Sequence, residues 1–344
     1  MIYRIIIWLR NKLYDKQILK SAQFNFPIIC VGNLAVGGTG KTPMTELIVE
    51  NLQAKYKVST LSRGYKRRTK GFAIANENTT ALDIGDEPMQ FHRKFPQITV
   101  AVGEERIVAI PQILHQKPET EVIILDDAFQ HRMVNAGMNI LLTDYHNLFT
   151  RDLMFPSGDL RDIKSSSKRA EIIVVTKCPP DLTIEQQRRI IREINPTEKQ
   201  RVFFTKIVYG NPYHLFQPKQ WQLEQHNDVL LVCGIANPKP IKEFLNQFVH
   251  YFEMMQFSDH HIFTSADLES IISKFRKIDS SNKIILTTEK DAVRLEKFKL
   301  ELNDYPIFVL PVKHEFLFGE AAVFMKMITT YIDGFNKVEP VDQH

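Results

Sequence analysis

The stretch from Ile28 to Pro43 reads IICVGNLAVGGTGKTP. Ile28 to Val31 form an apolar, strand-like run. A glycine-rich turn follows, Gly37-Gly38-Thr39-Gly40, and then Lys41, Thr42 and Pro43. Proline suits the first turn of a helix, where a missing N–H costs nothing, and the sequence starts the helix there. Strand, glycine-rich turn, Lys-Thr and helix is the order of a phosphate-binding loop. Backbone N–H groups wrap phosphate oxygens while the helix dipole adds positive charge. Lys41 would reach the outer phosphates and Thr42 would hold Mg2+. The general pattern has glycine where this chain has Ala35.

Such a loop needs an acidic partner. Val122-Ile123-Ile124-Leu125 is a second buried strand, and it ends in Asp126-Asp127. Ligands of open α/β sheets gather at the carboxyl ends of strands, so both acids should face the metal and the γ-phosphate. Guanine readers carry a Lys-x-Asp after a strand. Here Thr176-Lys177-Cys178 is followed by Pro179, whose side chain accepts no hydrogen bond from a base. ATP is favoured over GTP.

Strand patterns at 28–32, 57–62, 98–102, 122–126, 139–143 and 171–176 alternate with helical ones at 41–55, 86–94, 104–115 and 183–194. That alternation implies βαβ units and a mostly parallel sheet, an α/β fold of the P-loop NTPase kind. Composition shifts after the run at 201–209. Strands at 229–233, 284–288 and 307–310, with helices at 238–248, 265–277 and 319–332, read as a second, smaller α/β domain. The organisation expected is a first segment 1–20, a catalytic domain 21–205, a smaller domain 206–335 closing on the active site, and a polar tail 336–344.

At 344 residues the chain suits two domains. With 44% hydrophobic and 24% charged residues it is an ordinary folded composition rather than a disordered one. No apolar run is long enough to span a bilayer. A net charge of +4 gives no reason to expect nucleic acid as a partner. Cys30, Cys178 and Cys233 sit in separate apolar runs, which reads as buried small hydrophobes in a reducing compartment.

Residues 1–20 read MIYRIIIWLRNKLYDKQILK. Ile2, Ile5, Ile6, Leu9 and Leu13 recur at helical spacing, and Arg4, Arg10, Lys12, Lys16 and Lys20 are opposed by Asp15 alone. Two readings stand. The helix lies in a membrane interface, with cations on anionic headgroups, or it packs on its own domain. Arg63, Lys66, Arg67, Arg68 and Lys70 form a second basic run. It is either a solvated loop or a patch for phosphate or anionic lipid.

Further strings occur in order: Ser62-Arg63-Gly64-Tyr65, Gly85-Asp86-Glu87-Pro88, Asp126-Asp127-Ala128-Phe129-Gln130-His131, Pro156-Ser157-Gly158-Asp159-Leu160-Arg161-Asp162, Phe257-Ser258-Asp259-His260-His261 and Thr287-Thr288-Glu289-Lys290-Asp291-Ala292. Together with the phosphate loop they resemble the tetraacyldisaccharide 4'-kinases, the lipid A 4'-kinases of Gram-negative bacteria, over roughly residues 1 to 330. The resemblance implies transfer of the γ-phosphate of ATP to the 4'-hydroxyl of a tetraacyl glucosamine disaccharide 1-phosphate. It also implies a peripheral enzyme on the cytoplasmic face of the inner membrane.

Carried over, the family's loop is Gly37 to Pro43. Its catalytic aspartate is Asp86 and its metal-binding glutamate Glu87, with Thr42 and Asp126 as further metal ligands. Asp126 and Asp127 are its paired acids, Arg161 its active-site arginine, and His260 the histidine that partners the catalytic aspartate. Bland readings sit beside these: Asp86 suits a helix cap, and Asp259-His260-His261 suits a polar turn. Two positions depart from the family. Ala128 replaces a glycine, at a strain cost if that residue needs positive φ. Asp162 replaces a glutamate. The alternatives are a soluble P-loop kinase or ligase for a small metabolite, which would gain nothing from a basic amphipathic first helix, and a nucleotide switch.

Overall fold

The aliphatic runs Ile28–Asn33, Val122–Asp126 and Ile172–Thr176 are buried along their whole length. That is the pattern of parallel strands covered on both faces. The computed structural model describes residues 2–224 and 226–336. The proposed tail from residue 337 onward therefore lies outside the described residues.

In chain order the elements are α1 (Ile2–Asp15), β1 (Ile28–Asn33), α2 (Lys41–Leu52), β2 (Val58–Ser62), β3 (Ala73–Ile74), α3 (Ala81–Ile84), α4 (Asp86–Lys94), β4 (Thr99–Val102), α5 (Arg106–Gln116), β5 (Val122–Asp126), β6 (Met138–Asp144), β7 (Ile172–Thr176), α6 (Ile184–Ile194) and β8 (Arg201–Tyr209). Then come β9 (Tyr213–His214), β10 (Asp228–Cys233), α7 (Lys239–Phe248), β11 (Tyr251–Gln256), α8 (Ser265–Lys277), β12 (Lys283–Thr288), α9 (Glu289–Leu295), α10 (Lys299–Leu302), β13 (Ile307–Leu310), β14 (Val312–Phe316) and α11 (Ala321–Asn336).

The contacts divide the chain into two compact units. The larger runs to Val208 and resumes at Lys313, and the smaller is Tyr209–Val312. The larger holds a nine-stranded sheet in the order β14-β8-β7-β6-β1-β5-β2-β4-β3. From β8 to β4 every pairing is parallel, and β3 runs antiparallel on β4. β1 sits between β5 and β6, with Val31 beside Asp126. The phosphate loop and the paired acids therefore leave neighbouring strands at the same end of the sheet.

The smaller unit is a five-stranded sheet, β11-β10-β12-β13-β9. Alternate residues of β10 feed two cores: Leu230 and Val232 on one face, Val229 and Leu231 on the other.

The sequence ended the smaller domain at 335, and the contacts end it at Val312. β14 joins the larger sheet beside β8. Along α11, Phe324 packs edge-on against Phe203 and the Tyr331 hydroxyl donates to the Ile28 carbonyl at 3.1 Å. The composition shift marks where the chain leaves the larger unit and carries no signal for its return. No described helix is long and apolar enough to cross a membrane.

α1 packs on its own domain, the second of the two readings of the first segment, while part of its apolar surface stays exposed. Its inner side is held by polar contacts: Tyr3 Oη donates to the Arg161 carbonyl at 3.0 Å, Arg10 to the Gln130 carbonyl at 3.1 Å, and Asn11 is buried. Four of its apolar residues point away, Ile6 57% and Leu9 51% exposed with Ile5 and Trp8 beside them, while Ile7 and Leu13 are half-buried. A helix that buries polar groups and shows its apolar face is opposite to a surface helix serving a core.

Candidate active site

α2 begins at Lys41, two residues earlier than Pro43 suggested, with Gly40 as its cap at φ 84°. Pro43 then occupies the third helical position, where the N–H still has no partner within the helix. Gly37 also has positive φ, at 97°, whereas Ala35 does not. Alanine is therefore tolerated where the general pattern has glycine. The loop is fastened from several sides. Asn33 Nδ2 donates to Thr39 Oγ1 at 2.9 Å, Thr176 Oγ1 donates to the Thr39 carbonyl at 2.9 Å, and Val36 N donates to the Asp159 carbonyl at 2.7 Å.

At the end of β5, Asp126 is buried and accepts from Thr45 Oγ1 of α2 at 3.1 Å. Burial raises its carboxyl above the usual range, and the charges of Glu87 and Asp127 add to the effect. Asp127 behaves oppositely. Burial works against its charge, yet Lys41 and Arg161 outweigh it and hold the carboxyl below the ordinary range. Lys41 Nζ lies 3.7 Å from Asp127, and Arg161 donates to Asp127 and to Asn33 Oδ1. The structure thus brings Lys41, Asp126, Asp127 and Arg161 together, with Glu87 near enough for Asp126 to feel its charge.

Asp127 itself carries positive φ, 48°, which aspartate tolerates better than most residues. Ala128 has no positive φ and is buried, so the strain expected for alanine there does not arise. The end of β1 and the loop after β5 approach closely: a Cβ on Gly32 would lie 2.6 Å from Phe129 Cβ.

Among the described residues no group of three or more His, Cys, Asp or Glu is arranged to hold a metal alone. Mg2+ in nucleotide sites uses one or two carboxylates and completes its shell with phosphate and water. Thr42, Glu87 and Asp126 are an oxygen-only partial set of that kind. The crowding of negative charge that raises Asp126 is what a divalent cation would relieve.

Asp86 opens α4, and Gly85 rather than Asp86 occupies the cap position. The helix-cap reading of Asp86 therefore gives way to a first-turn acid at the positive end of the dipole. Of the basic run at 63–70, Arg67 is engaged internally, donating to Glu104 at 2.7 Å with its side chain buried. The other four cations are exposed. The cysteines are buried and free, as small hydrophobes.

His260 belongs to the smaller unit and sits at φ 61° after β11. Its Nε2 lies 3.3 Å from Lys290 Nζ and its Nδ1 3.1 Å from the Arg294 guanidinium. His261 turns elsewhere, to Asp267 at 3.0 Å, where that carboxylate also completes the capping box of α8.

Two further residues of the site carry no signal in their local sequence. Arg106, at the start of α5, is fully buried and donates to the Gly103 carbonyl at 2.7 Å. Burial pulls its pKa to about 10, so it stays charged, and Asp126 and Asp127 lie in its field. With Arg63 and Arg10 it presses on His131, whose pKa burial and these cations push down to about 4.

The second is His314 of β14. Burial pushes its imidazole down to about 4. Neutral at working pH, the ring donates from Nε2 to the Gly40 carbonyl at 2.8 Å and accepts at Nδ1 from Thr205 Oγ1 at 3.0 Å, the tautomer these partners select. It backs the glycine that starts α2. Because the fold favours the neutral ring, its contribution to stability is complete above the ordinary histidine pKa near 6.5. It drains away as pH falls from there towards 4. His314→Gln should therefore be less destabilising at pH 4.5 than at pH 7.5, read as the difference in Tm from wild type. A difference independent of pH would show that the ring titrates normally.

A phosphate loop on β1, paired acids on the adjacent strand and a cation pair aimed at one of them define a P-loop phosphotransferase. The comparisons narrow this. Residues 1–333 match the family model described as tetraacyldisaccharide-1-P 4'-kinase. The chain is 46% identical to the tetraacyldisaccharide 4'-kinase of Flavobacterium johnsoniae, covering 92% of this chain and 91% of that one. It is 44% identical to the enzyme of that name from Phocaeicola vulgatus, covering 96% and 93%. A solved structure of LpxK from Aquifex aeolicus in complex with ATP superposes with a TM-score of 0.74 at 28% identity over 96% of each chain. The chain belongs to the tetraacyldisaccharide 4'-kinase family.

Proposed function

We propose that the protein transfers the γ-phosphate of ATP to the 4'-hydroxyl of a tetraacyl glucosamine disaccharide 1-phosphate, at the cytoplasmic face of the inner membrane. The observation that carries this is Asp127 held between Lys41 and Arg161 beside the phosphate loop, in a chain of this family. Phosphoryl transfer asks for positioning and charge neutralisation rather than covalent chemistry.

Gly37 to Thr42 cradle the phosphates, and Lys41 and Arg161 meet the charge of the transferred group. Thr42, Glu87 and Asp126 would hold Mg2+, which screens phosphate charge when bound. Asp86 accepts the proton of the sugar hydroxyl, with His260 as its partner. Purified protein should move label from γ-labelled ATP into detergent-dispersed tetraacyl disaccharide 1-phosphate. Label that stays in ATP, or appears only in a soluble metabolite, would remove the lipid-kinase reading.

The lipid substrate and the outward apolar face of α1 belong together. Ile5, Ile6, Trp8 and Leu9 enter the acyl boundary while Arg4, Lys12 and Lys16 meet anionic headgroups. Replacing Ile6 and Leu9 together by serine should lower recovery with anionic liposomes at least about tenfold, since each buried side chain contributes about 1.5–3 kcal/mol. Both residues face away from the domain, so the fold should be unaffected. Equal flotation of variant and wild type would remove the membrane contact.

A further inference from the structure

Asp162, the position that departs from the family's glutamate, is buried. One of its oxygens accepts from Asn11 Nδ2 of α1 at 2.7 Å, from Ser166 Oγ at 2.9 Å and from the Ile163 N–H at 2.8 Å. The other meets the Arg169 guanidinium at 3.3 Å. That guanidinium also donates to the Phe129 carbonyl at 3.0 Å and lies over the Phe129 ring, 4.2 Å from its centroid. Phe129 lies two residues after Asp127, in the same loop as the paired acids. One carboxylate thus joins three pieces of chain: α1, the loop bearing Arg161, and the loop bearing the paired acids.

Other contacts of α1 run to the same two loops. Tyr3 Oη donates to the carbonyl of Arg161 itself, while the Arg161 N–H is spent on the Leu34 carbonyl at 2.8 Å. Arg10 donates to the Gln130 carbonyl, and Gln130 Nε2 donates in turn to the Asn33 carbonyl. Arg132 donates to the Asn11 carbonyl at 3.0 Å and pairs with Asp15 at 2.8 Å. Asn33 Oδ1 accepts from the Arg161 guanidinium. The backbone on either side of the Arg161 side chain is therefore pinned, once by β1's extension and once by α1. An anchor that served only to hold the enzyme near lipid would have no need to converge on these atoms.

We propose that Asp162 is a positioning residue that seats α1 against the two active-site loops, so that the seat of α1 sets the place of the Arg161 guanidinium. This rests on the reading that Arg161 meets the transferred phosphoryl group. A buried carboxylate with four donors fixes its neighbours more tightly than a surface pair, because each lost contact leaves a desolvated partner. A displacement of about 1 Å at a transferring group is worth up to roughly 10² in rate. The phosphate cradle shares Asn33 with this network but is also fastened by Thr176 at the Thr39 carbonyl and by His314 at the Gly40 carbonyl, neither of which touches α1 or Arg161, so ATP affinity should be largely spared.

The test uses the full-length enzyme with γ-labelled ATP and the lipid acceptor. Rates are taken per folded molecule, and Tm is followed in parallel. Asp162→Ala and Asn11→Ala should each lower kcat by on the order of 10–10² with KM for ATP within about threefold of wild type. Tyr3→Phe, which removes one hydroxyl, should lower it less and fold normally.

Asp162→Asn should recover part of the loss, since its carbonyl oxygen still accepts from Asn11 and Ser166. The Asn11→Ala, Asp162→Ala double variant should be little worse than the poorer single one, because the two share a contact. Unchanged kcat per folded molecule in Asp162→Ala, Asn11→Ala and Tyr3→Phe, with only Tm lowered, would overturn the inference and leave a structural clamp. So would fully multiplicative losses in the double variant. Arg161→Ala separates the two levels. If it cripples kcat while the Asp162 and Asn11 variants do not, only the present inference falls. If Arg161→Ala is itself near normal, the reading beneath it falls too.

Discussion

Lys41→Ala should lower turnover by roughly 10²–10³-fold, the scale for removing one preorganised group from transition-state charge, while the protein stays folded. The geometry explains why the two effects separate. The loop's shape is held by Asn33, Thr176 and His314, and each of these bonds ends on Thr39 or Gly40. None involves the Lys41 ammonium. Among the described residues the ion pair lost is that with Asp127, and Arg161 remains to keep this carboxylate ionised.

KM for ATP should rise along with the fall in kcat, because Lys41 also attracts ground-state phosphates. Thr42→Ala should behave similarly, and its defect should lessen when Mg2+ is raised if the hydroxyl serves the metal. The readouts are label transferred to lipid and the thermal midpoint of each variant. Near-normal turnover in folded Lys41→Ala would take the phosphate loop out of the mechanism.

What the sequence disclosed and what it hid divide by distance along the chain. Lys41, Asp126 and Asp127 are legible because each lies in a short string whose local context states its chemistry, strand, turn, then polar group, whereas Arg161 is marked only by the family resemblance. The strands themselves were legible because parallel strands buried on both faces read as unbroken aliphatic runs. β11 and β14 were not, since Tyr251-Phe252-Glu253-Met254 and Val312-Lys313-His314-Glu315 mix polar and apolar residues as half-buried strands do.

His314 meets Gly40 from 274 positions away, and Asn11 meets Asp162 from 151. No periodicity or spacing rule links such pairs; only the topology does. The two departures from the family pattern show the same limit. Ala128 looked like a strained position, but the chain turns one residue earlier, at Asp127. Asp162 looked like a weakened copy of a glutamate. Its short side chain instead ends among Asn11, Ser166 and Arg169, a role invisible without the partners.

Asp86→Ala should reduce kcat by on the order of 10²–10⁴, the usual worth of a positioned acid–base group, and His260→Ala should reduce it as well. The double variant should be only slightly worse than the poorer single one if the two act as one unit in turnover, since residues that serve a single step are not additive. Asp86 stands in the first turn of α4 in the larger unit. His260 stands in the smaller one, its ring bounded by Lys290 and Arg294.

Those two cations make the His260 variant the more informative. Alanine there takes one partner from Lys290 and from Arg294, which keep Asp259 and Asp291, as well as removing the ring, so His260→Asn, which keeps an acceptor for one of them, belongs beside it. ATP affinity should remain near normal in every case, because neither Asp86 nor His260 is assigned to the nucleotide. Multiplicative losses would part the two residues and return His260 to a polar turn held by its neighbours. A large loss of ATP binding in Asp86→Ala would instead assign that carboxylate to the metal, leaving the proton of the sugar hydroxyl to another group.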